Sequence, residues 1–259
     1  MKKKLIVIIV ILLVCFNIYF LYKNDIETNK YIIFDDNNLF YIKNNTLIRQ
    51  NPKKIRLLNY SLSSLYSQDI TYEKIYFDNK NDNIELYDKS KEKINVYDFY
   101  VLTNVDYNLN VSKASFLQEI GAEEQTKILN ILRSNGIYTS IDAIIVSRND
   151  TKILKDGTPA EVYSITSNSE VEGDYKFNII FAVINNEVVV LNKKVTEQEK
   201  AYTTFTKELY MTMDIDNDSL DEIVVQNSKY SSPEDTYYCV YKYDENNNKF
   251  KLISDCKEE

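Results

Sequence analysis

The chain has 259 residues, of which 44% are hydrophobic and 27% are charged, a composition ordinary for a protein that buries a core. Its formal net charge of −8, without any stripe of Lys and Arg, argues against nucleic acid as a partner. It has no histidine, which excludes Ser-His-Asp and Cys-His catalysis and removes the usual protein ligand of zinc, copper and non-haem iron.

The first predicted element is a membrane anchor at residues 1–25. The apolar run from Leu5 to Leu21 is long enough, with its flanks, to cross a hydrocarbon core of roughly 30 Å. Lys2-Lys3-Lys4 precede the run and Lys23 follows it, an excess of positive charge that keeps the N-terminus in the cytoplasm. The pattern predicts a single-pass protein of the cell membrane, with the bulk of the chain outside the cytoplasm.

Two alternatives to an uncleaved anchor remain open. A cleaved signal peptide would have a shorter apolar stretch that ends in small residues, which this run does not have. A lipoprotein signal would place a small residue before its cysteine, whereas Val14 precedes Cys15 and the apolar run continues beyond it. We therefore favour the uncleaved signal anchor.

Residues 26–110 are predicted to form a β-rich meander. Short apolar strands alternate with turns rich in Asn and Asp, which tolerate the left-handed backbone of tight hairpins. The strands are Tyr31–Phe34, Leu39–Ile42 and Thr46–Arg49, and a similar group recurs about 43 residues later at Lys74–Phe77, Asn83–Tyr87 and Ile94–Tyr97. A propeller needs roughly four blades or more, so two copies favour similar hairpins within one small sheet.

Residues 111–259 are predicted to form an α+β region. A helix is expected from Ala122 to Arg133, because acidic residues open it, apolar residues form one face and Gly136 follows its end. The acidic residues are Glu123 and Glu124, and the apolar face consists of Ile128, Ile131 and Leu132. A single apolar stripe indicates that this helix packs on a sheet.

The strands of this second region follow the helix. They are expected at Ala143–Val146, Glu161–Ile165, Tyr175–Ile184, Glu187–Leu191 and from Leu209 to Ile215. Asn185-Asn186 predicts a tight hairpin between the third and fourth of these strands. The fold class predicted for the whole chain is therefore α+β, mainly antiparallel β with one or two short helices, preceded by a single N-terminal transmembrane helix.

Residues 214–225 are an acidic loop that leads into an apolar strand, and they point most directly to chemistry. Calcium takes six to eight oxygen ligands, and alternating carboxylates can wrap it in a short loop. The candidate ligands are the carboxylates of Asp214, Asp216, Asp218 and Glu222, with the main-chain carbonyl of Leu220. An EF-hand is excluded, because Ser219 and Val225 stand where it needs glycine and glutamate.

This loop resembles the calcium-binding element of FG-GAP and VCBS-type repeats, Asp-x-Asp-x-Asp-Gly-x-x-Asp/Glu followed by an apolar strand. The acidic positions of that pattern fall on Asp214, Asp216, Asp218 and Glu222. Ile223–Val225 matches the strand, whereas Ser219 replaces the usual glycine, which costs roughly 1 kcal/mol in a left-handed turn. A single copy implies a local strand-loop-strand with bound calcium, and not a whole propeller.

The alternative for this loop is a solvated acidic turn without an ion. Carboxylates this close in sequence repel one another strongly unless a cation neutralises them, which favours calcium. At a calcium concentration about tenfold above the dissociation constant, binding would stabilise the fold by roughly 1.4 kcal/mol. The prediction is therefore Ca²⁺ as a structural cofactor.

Cys239 and Cys256 flank the last predicted hairpin. If Asn247-Asn248 forms a two-residue turn, Asn246 faces Lys249 and the two cysteines lie directly opposite each other. A disulfide there would persist outside the cytoplasm. A longer turn would shift the register and separate the two thiols, so free cysteines remain the alternative.

Together these features predict a membrane-anchored extracytoplasmic protein with a calcium-stabilised β-rich ectodomain, without enzymatic activity. Its role would be binding or assembly at the cell envelope, with the membrane and an envelope protein or cell-wall polymer as partners. The alternative is a cell-envelope glycan hydrolase that uses paired carboxylates, although no motif singles out a pair among the 39 Asp and Glu residues. A structural or sensory ectodomain is a third possibility, and it would signal through a partner because only Met1–Lys4 would lie inside.

Overall fold

In the computed structural model, the described residues are 11–19, 30–35, 38–44, 46–50, 63–67, 70–80, 83–87, 90–94, 101–103, 111–168, 175–197, 205–229 and 232–256. They form mainly antiparallel β-sheet with two short α-helices, which confirms the predicted β-rich α+β class. The chain divides into two compact units, residues 1–44 with 48–106 and residues 45–47 with 107–259.

Residues 11–19 are helical (α1), and all of them are exposed. They lie in the middle of the predicted anchor, whose other residues, 1–10 and 20–25, are outside the described part of the chain. Within that described part, none of the helices has both the length and the apolar character needed to span a membrane.

Eight described strands form one sheet in the order β3-β2-β1-β8-β4-β5-β6-β7, and all of its residues except 46 and 47 belong to the first unit. They are β1 (Lys30–Asp35), β2 (Asn38–Lys43), β3 (Thr46–Gln50), β4 (Ser63–Ser67), β5 (Ile70–Lys80), β6 (Asn83–Tyr87), β7 (Lys93–Ile94) and β8 (Val101–Thr103). The two predicted hairpins are β1–β2 and β5–β6, and both belong to the same sheet, as expected. Residues 95–97 of the last predicted strand lie outside the described residues.

The second unit contains two five-stranded antiparallel sheets, ordered β10-β11-β12-β13-β14 and β18-β17-β16-β15-β9. The strands are β9 (Val111–Lys113), β10 (Ser115–Phe116), β11 (Ile144–Thr151), β12 (Ala160–Ser167), β13 (Tyr175–Ile184), β14 (Glu187–Glu197), β15 (Phe205–Met213), β16 (Glu222–Lys229), β17 (Ser232–Asp244) and β18 (Lys249–Leu252). A helix, α2 (Ala122–Ser134), and a short 3-10 helix (Ile141–Ala143) lie between β10 and β11 in the sequence.

The sheet that contains β13 is covered on both faces, because successive side chains along a strand point in opposite directions. Ile180 and Ala182 lie in a core shared with the other five-stranded sheet. Ile179 and Phe181 lie in a second core beneath α2. The second unit is therefore layered as helix, sheet and sheet, with β13 buried in the middle.

Helix α2 matches the sequence prediction in position and in orientation. The residues of its apolar face, Ile128, Ile131 and Leu132, are all buried against the sheet. After the helix, Gly136 has φ 76°, a left-handed conformation that glycine adopts without strain. The N–H of Ile137 then donates to the carbonyl of Leu132 at 2.9 Å, which ends the helix.

Candidate metal site

The part of the acidic loop that lies between the strands, residues 214–221, joins β15 to β16 at one end of their hairpin. Met213 pairs with Glu222, so the two paired strands hold both ends of the loop. The predicted strands on either side of the loop are present, with a bulge in β15 between Leu209 and Met211. The loop therefore starts after Met213 and ends before Glu222, which are buried and paired with each other.

The loop folds around the carboxylate of Asp214, which accepts hydrogen bonds from main-chain N–H groups. Its Oδ1 accepts from the N–H of Asp218 at 3.2 Å, and its Oδ2 accepts from the N–H of Ser219 at 2.9 Å. Leu220, the candidate carbonyl ligand, donates its N–H to Asp218 Oδ1 at 3.0 Å. Asn217 and Ser219 have φ of 62° and 72°, so the chain turns twice through the left-handed region. This backbone path makes the loop carboxylates converge.

Ser219→Gly is expected to raise the free energy of unfolding by about 0.5 kcal/mol, because glycine adopts the left-handed conformation without strain but loses more entropy on folding. The main-chain hydrogen bond to Asp214 would be retained. Denaturant unfolding of the full chain measures the change. Ser219→Ala keeps the backbone strain and is the matched control, with little change expected. Destabilisation by Ser219→Gly would contradict the assignment of strain to this position.

The structure brings three of the predicted ligands together. One carboxylate oxygen from each of Asp214, Asp216 and Asp218 lies within 4.8 Å of the others. Glu222 stands at the start of β16 with its side chain fully buried, and its Oε2 accepts from the N–H of Ile215 at 2.8 Å. Asp216 is almost as deeply buried, with 2% of its side chain exposed.

Lys242 is a part of this site that the sequence analysis missed. It lies on β17, and its Nζ is 2.7 Å from Asp216 Oδ2, 2.7 Å from Asp218 Oδ2 and 2.8 Å from Glu222 Oε1. The first two contacts are hydrogen bonds, whereas the contact with Glu222 is an ion pair outside hydrogen-bond geometry. A cation from the chain itself therefore lies among the carboxylates.

The burial of the site changes the ionisation of its groups. Burial raises the pKa of Glu222 to about 7, and the nearby Lys242 and the N–H of Ile215 offset this only in part. Burial also raises the pKa of Asp218, but Lys242 and the N–H of Leu220 outweigh it, so this pKa lies below its ordinary value. Burial lowers the pKa of Lys242, yet its carboxylate partners raise it well above the usual range, so the ammonium stays charged.

Glu222→Gln is expected to change how stability depends on pH. The pKa of Glu222 is about 7 in the folded protein against an ordinary value of 4.5, so the folded protein binds a proton that the unfolded chain has released. As pH rises from 4.5 to 7, the free energy of unfolding of the wild type should therefore fall relative to that of the variant. Denaturant unfolding in chelator across this range measures the difference. Glu119→Gln, which changes an exposed glutamate, should give a curve parallel to the wild type. A parallel curve for Glu222→Gln would contradict the prediction.

The three aspartates could hold a metal ion, and the spacing of their oxygens can be compared with that of calcium ligands. Calcium-bound oxygens lie about 2.3–2.6 Å from the ion, so two ligands on opposite sides are at most about 5 Å apart. The spacing of up to 4.8 Å between the aspartate oxygens agrees with this limit. Asp216 Oδ1 is buried and makes no hydrogen bond, and three carboxylates, those of Asp216, Asp218 and Glu222, face the single ammonium of Lys242. The loop therefore keeps excess negative charge and an uncommitted buried oxygen.

A further acidic residue of this segment, Asp221, positions the loop. Its Oδ2 accepts from Thr151 Oγ1 at 2.7 Å and from the N–H of Lys152 at 2.9 Å. Its own N–H donates to the carbonyl of Lys152 at 2.7 Å. These bonds fasten the acidic loop to the end of β11 in the other sheet, and they explain why a carboxylate can be buried there.

Cys239 and Cys256 form a disulfide, with their Cα atoms 5.5 Å apart. The predicted register of the hairpin is wrong, because Asp244 rather than Asn246 pairs with Lys249 and the turn spans residues 245–248. The expectation that a longer turn would separate the cysteines is also wrong. The chain turns again after β18, where the N–H of Cys256 donates to the carbonyl of Ser254 at 2.9 Å.

Comparison with known protein families, with curated proteins and with solved structures found no match for this chain. The interpretation of the site therefore depends on its own geometry. That geometry consists of converging carboxylates and an ammonium of the chain itself.

Proposed function

We propose that this chain is a single-pass membrane protein whose β-rich ectodomain acts outside the cytoplasm, in binding or assembly at the cell envelope. Its partner would be an envelope protein or a cell-wall polymer. The Cys239–Cys256 disulfide is the observation that carries the proposal, because disulfides persist in oxidising compartments and are rare in the cytosol.

The membrane anchor is supported by the character of α1. Large apolar side chains of this helix are exposed on all sides, with Leu12 at 63%, Phe16 at 64% and Ile18 at 60%. Apolar surface left in water costs about 25 cal/mol per Å², whereas a hydrocarbon layer solvates it favourably. Lys2-Lys3-Lys4 ahead of this run favour a cytoplasmic N-terminus.

Calcium in the acidic loop is supported by the converging carboxylates of Asp214, Asp216 and Asp218. The buried oxygen of Asp216 without a hydrogen bond supports it independently. The ion would be structural, because it would link side chains within the loop between β15 and β16. This loop contacts the β17–β18 hairpin through Lys242. A structural ion of this kind does not imply catalysis.

The described carboxylate clusters do not favour a glycan hydrolase. Such an enzyme needs two carboxyl groups that flank a bound sugar. In the acidic loop, Glu222 is fully buried and paired with Lys242. Beside α2, Arg148 binds both Glu124 at 3.1 Å and Glu161 at 3.0 Å. In both clusters the carboxylates contact cations of the protein itself, which favours a structural role.

The location is tested in intact cells that express the full chain. Protease added from outside should digest the ectodomain, and Cys239 and Cys256 should resist an alkylating reagent until a reductant is added. Cys15, which is free, serves as the internal thiol control after solubilisation. A chain protected from protease, with both thiols alkylated without reductant, would overturn the proposed location.

The calcium role is tested on the full chain in detergent micelles by calorimetric titration with CaCl₂ and by thermal unfolding. The wild type should bind calcium saturably and melt at a higher temperature with it. Asp216→Asn should lose both effects, and Asp255→Asn, which removes an exposed charge outside the loop, should keep them. No heat and no melting shift for the wild type would overturn the calcium role.

A further inference from the structure

We propose that Lys242 is a tethered competitor of calcium, which the metal ion must displace from Asp216 and Asp218 before it binds the acidic loop. This inference rests on the proposed calcium site and adds a regulating residue to it. It makes the loop a site with two alternative cations, one supplied by the chain and one by the surroundings.

The ammonium contacts the same carboxylates that calcium would bind. Its distances of 2.7 Å to Asp216 Oδ2 and to Asp218 Oδ2 are typical of charge-assisted hydrogen bonds. A calcium ion about 2.3–2.6 Å from these oxygens would lie only a few ångströms from Nζ of Lys242. Two cations that close repel each other strongly within a partly buried site. Occupancy by calcium and by the ammonium is therefore mutually exclusive.

An independent observation shows that the ammonium leaves one carboxylate oxygen of the site without a hydrogen bond. Asp216 has 2% of its side chain exposed, and its Oδ1 is buried without a hydrogen bond. Lys242 Nζ already donates to Asp216 Oδ2 and Asp218 Oδ2, with Glu222 Oε1 at 2.8 Å, and none of its donors reaches Asp216 Oδ1. A buried carboxylate oxygen without a donor is costly. A divalent ion, which can bind both oxygens of one carboxylate, would remove this deficit.

Lys242 can leave the carboxylates without unfolding its strand. Its side chain is 24% exposed, so a path to water exists. Its main chain lies within β17, where it pairs with Lys251 of β18. The flexible four-carbon stem of lysine can carry the ammonium into solvent while the strand stays paired.

In competition of this kind, calcium can bind only the molecules in which the ammonium has left the carboxylates. The apparent affinity for calcium is therefore the intrinsic affinity multiplied by the fraction of such molecules. If the bound state of Lys242 dominates by about ten to one, its removal should strengthen calcium binding about tenfold. The weaker affinity of the wild type would suit the high calcium concentrations outside cells, where calcium modules work at roughly 10⁻⁴–10⁻³ M.

The decisive experiment is calorimetric titration of the full chain in detergent micelles with CaCl₂. Lys242→Met keeps an unbranched side chain, one atom shorter than that of lysine, and removes the charge. Its dissociation constant should be about tenfold lower than that of the wild type. Lys251→Met is the matched control, because it removes the same charge from the paired position of the same hairpin. Its dissociation constant should equal that of the wild type.

The outcomes separate this inference from the calcium role itself. Equal or weaker binding by Lys242→Met, with binding by the wild type intact, would overturn the competition and leave the calcium role standing. Binding by Lys242→Met alone would support the competition and overturn the calcium role of the wild type. Absence of binding in both proteins would overturn both proposals.

A second measurement uses only the wild type, so it tests the displacement even if Lys242→Met does not fold. An amine-acylating reagent labels lysines according to their exposure, and mass spectrometry gives the rate at each position. Saturating CaCl₂ should increase the labelling of Lys242 several-fold and leave that of exposed Lys251 unchanged. An unchanged rate at Lys242 in calcium-saturated protein would overturn the displacement.

Discussion

Lys242→Met is expected to lower the free energy of unfolding by about 3 kcal/mol in calcium-free buffer at neutral pH. The substitution would leave Asp216 and Glu222, with side chains 2% and 0% exposed, without their cation. Removal of one partner from a buried ion pair costs about 3–5 kcal/mol, because the remaining charge stays desolvated. The lower end applies here, since Glu222 already has a pKa of about 7 and can take up a proton to relieve the repulsion.

Denaturant unfolding of the full chain in chelator measures this loss. Lys251→Met, on the neighbouring strand and exposed, should change stability by no more than about 0.5 kcal/mol. Added calcium should restore a large part of the loss in Lys242→Met, because the ion replaces the missing charge. A variant as stable as the wild type in chelator would show that the ammonium contributes little to the fold.

Loss of the disulfide is expected to cost about 3 kcal/mol, in a variant that carries both Cys239→Ala and Cys256→Ala. The two cysteines are 17 residues apart, and a crosslink of that span restricts the unfolded chain by about this amount. Cys239 is also buried in the core between the two sheets of the second unit, so its truncation removes packing as well. The expected result is a lower denaturation midpoint and a steeper dependence on denaturant, since the unfolded chain becomes less compact.

Cys15→Ala is the matched control for this prediction, because Cys15 is a free, exposed cysteine. It should leave the denaturation midpoint unchanged. Reduction of the wild type should reproduce the loss seen in the double variant. Equal stability of the oxidised wild type and the double variant would contradict a stabilising disulfide.

Local patterns in the sequence predicted much of the second unit. The bounds of α2, its buried face and its end near Gly136 follow from a single window of residues, because helix capping and amphipathicity are short-range properties. The hairpin of β13 and β14 follows from Asn185-Asn186, whose φ values of 50° and 66° suit the left-handed turn that asparagine tolerates.

The last hairpin shows where a local pattern is insufficient. A run of three asparagines is compatible with several turn lengths, so a two-residue turn and a longer one both remained open from the sequence. Asp244 decides the outcome, because its side chain accepts from the N–H of Asn246 at 3.1 Å and from the side-chain amide of Asn247 at 2.8 Å. These bonds stabilise a longer turn and shift the register by two residues.

The sequence by itself determined the β-rich class, the helix, and a loop in which carboxylates alternate at Asp214, Asp216 and Asp218. Only the tertiary structure decided what faces those carboxylates. Lys242 is 26 residues from Asp216 in the sequence and reaches it because β17 pairs with β16, a register that no local pattern specifies. The loop that the sequence predicts as a site for an external cation therefore already contacts an ammonium of the chain itself.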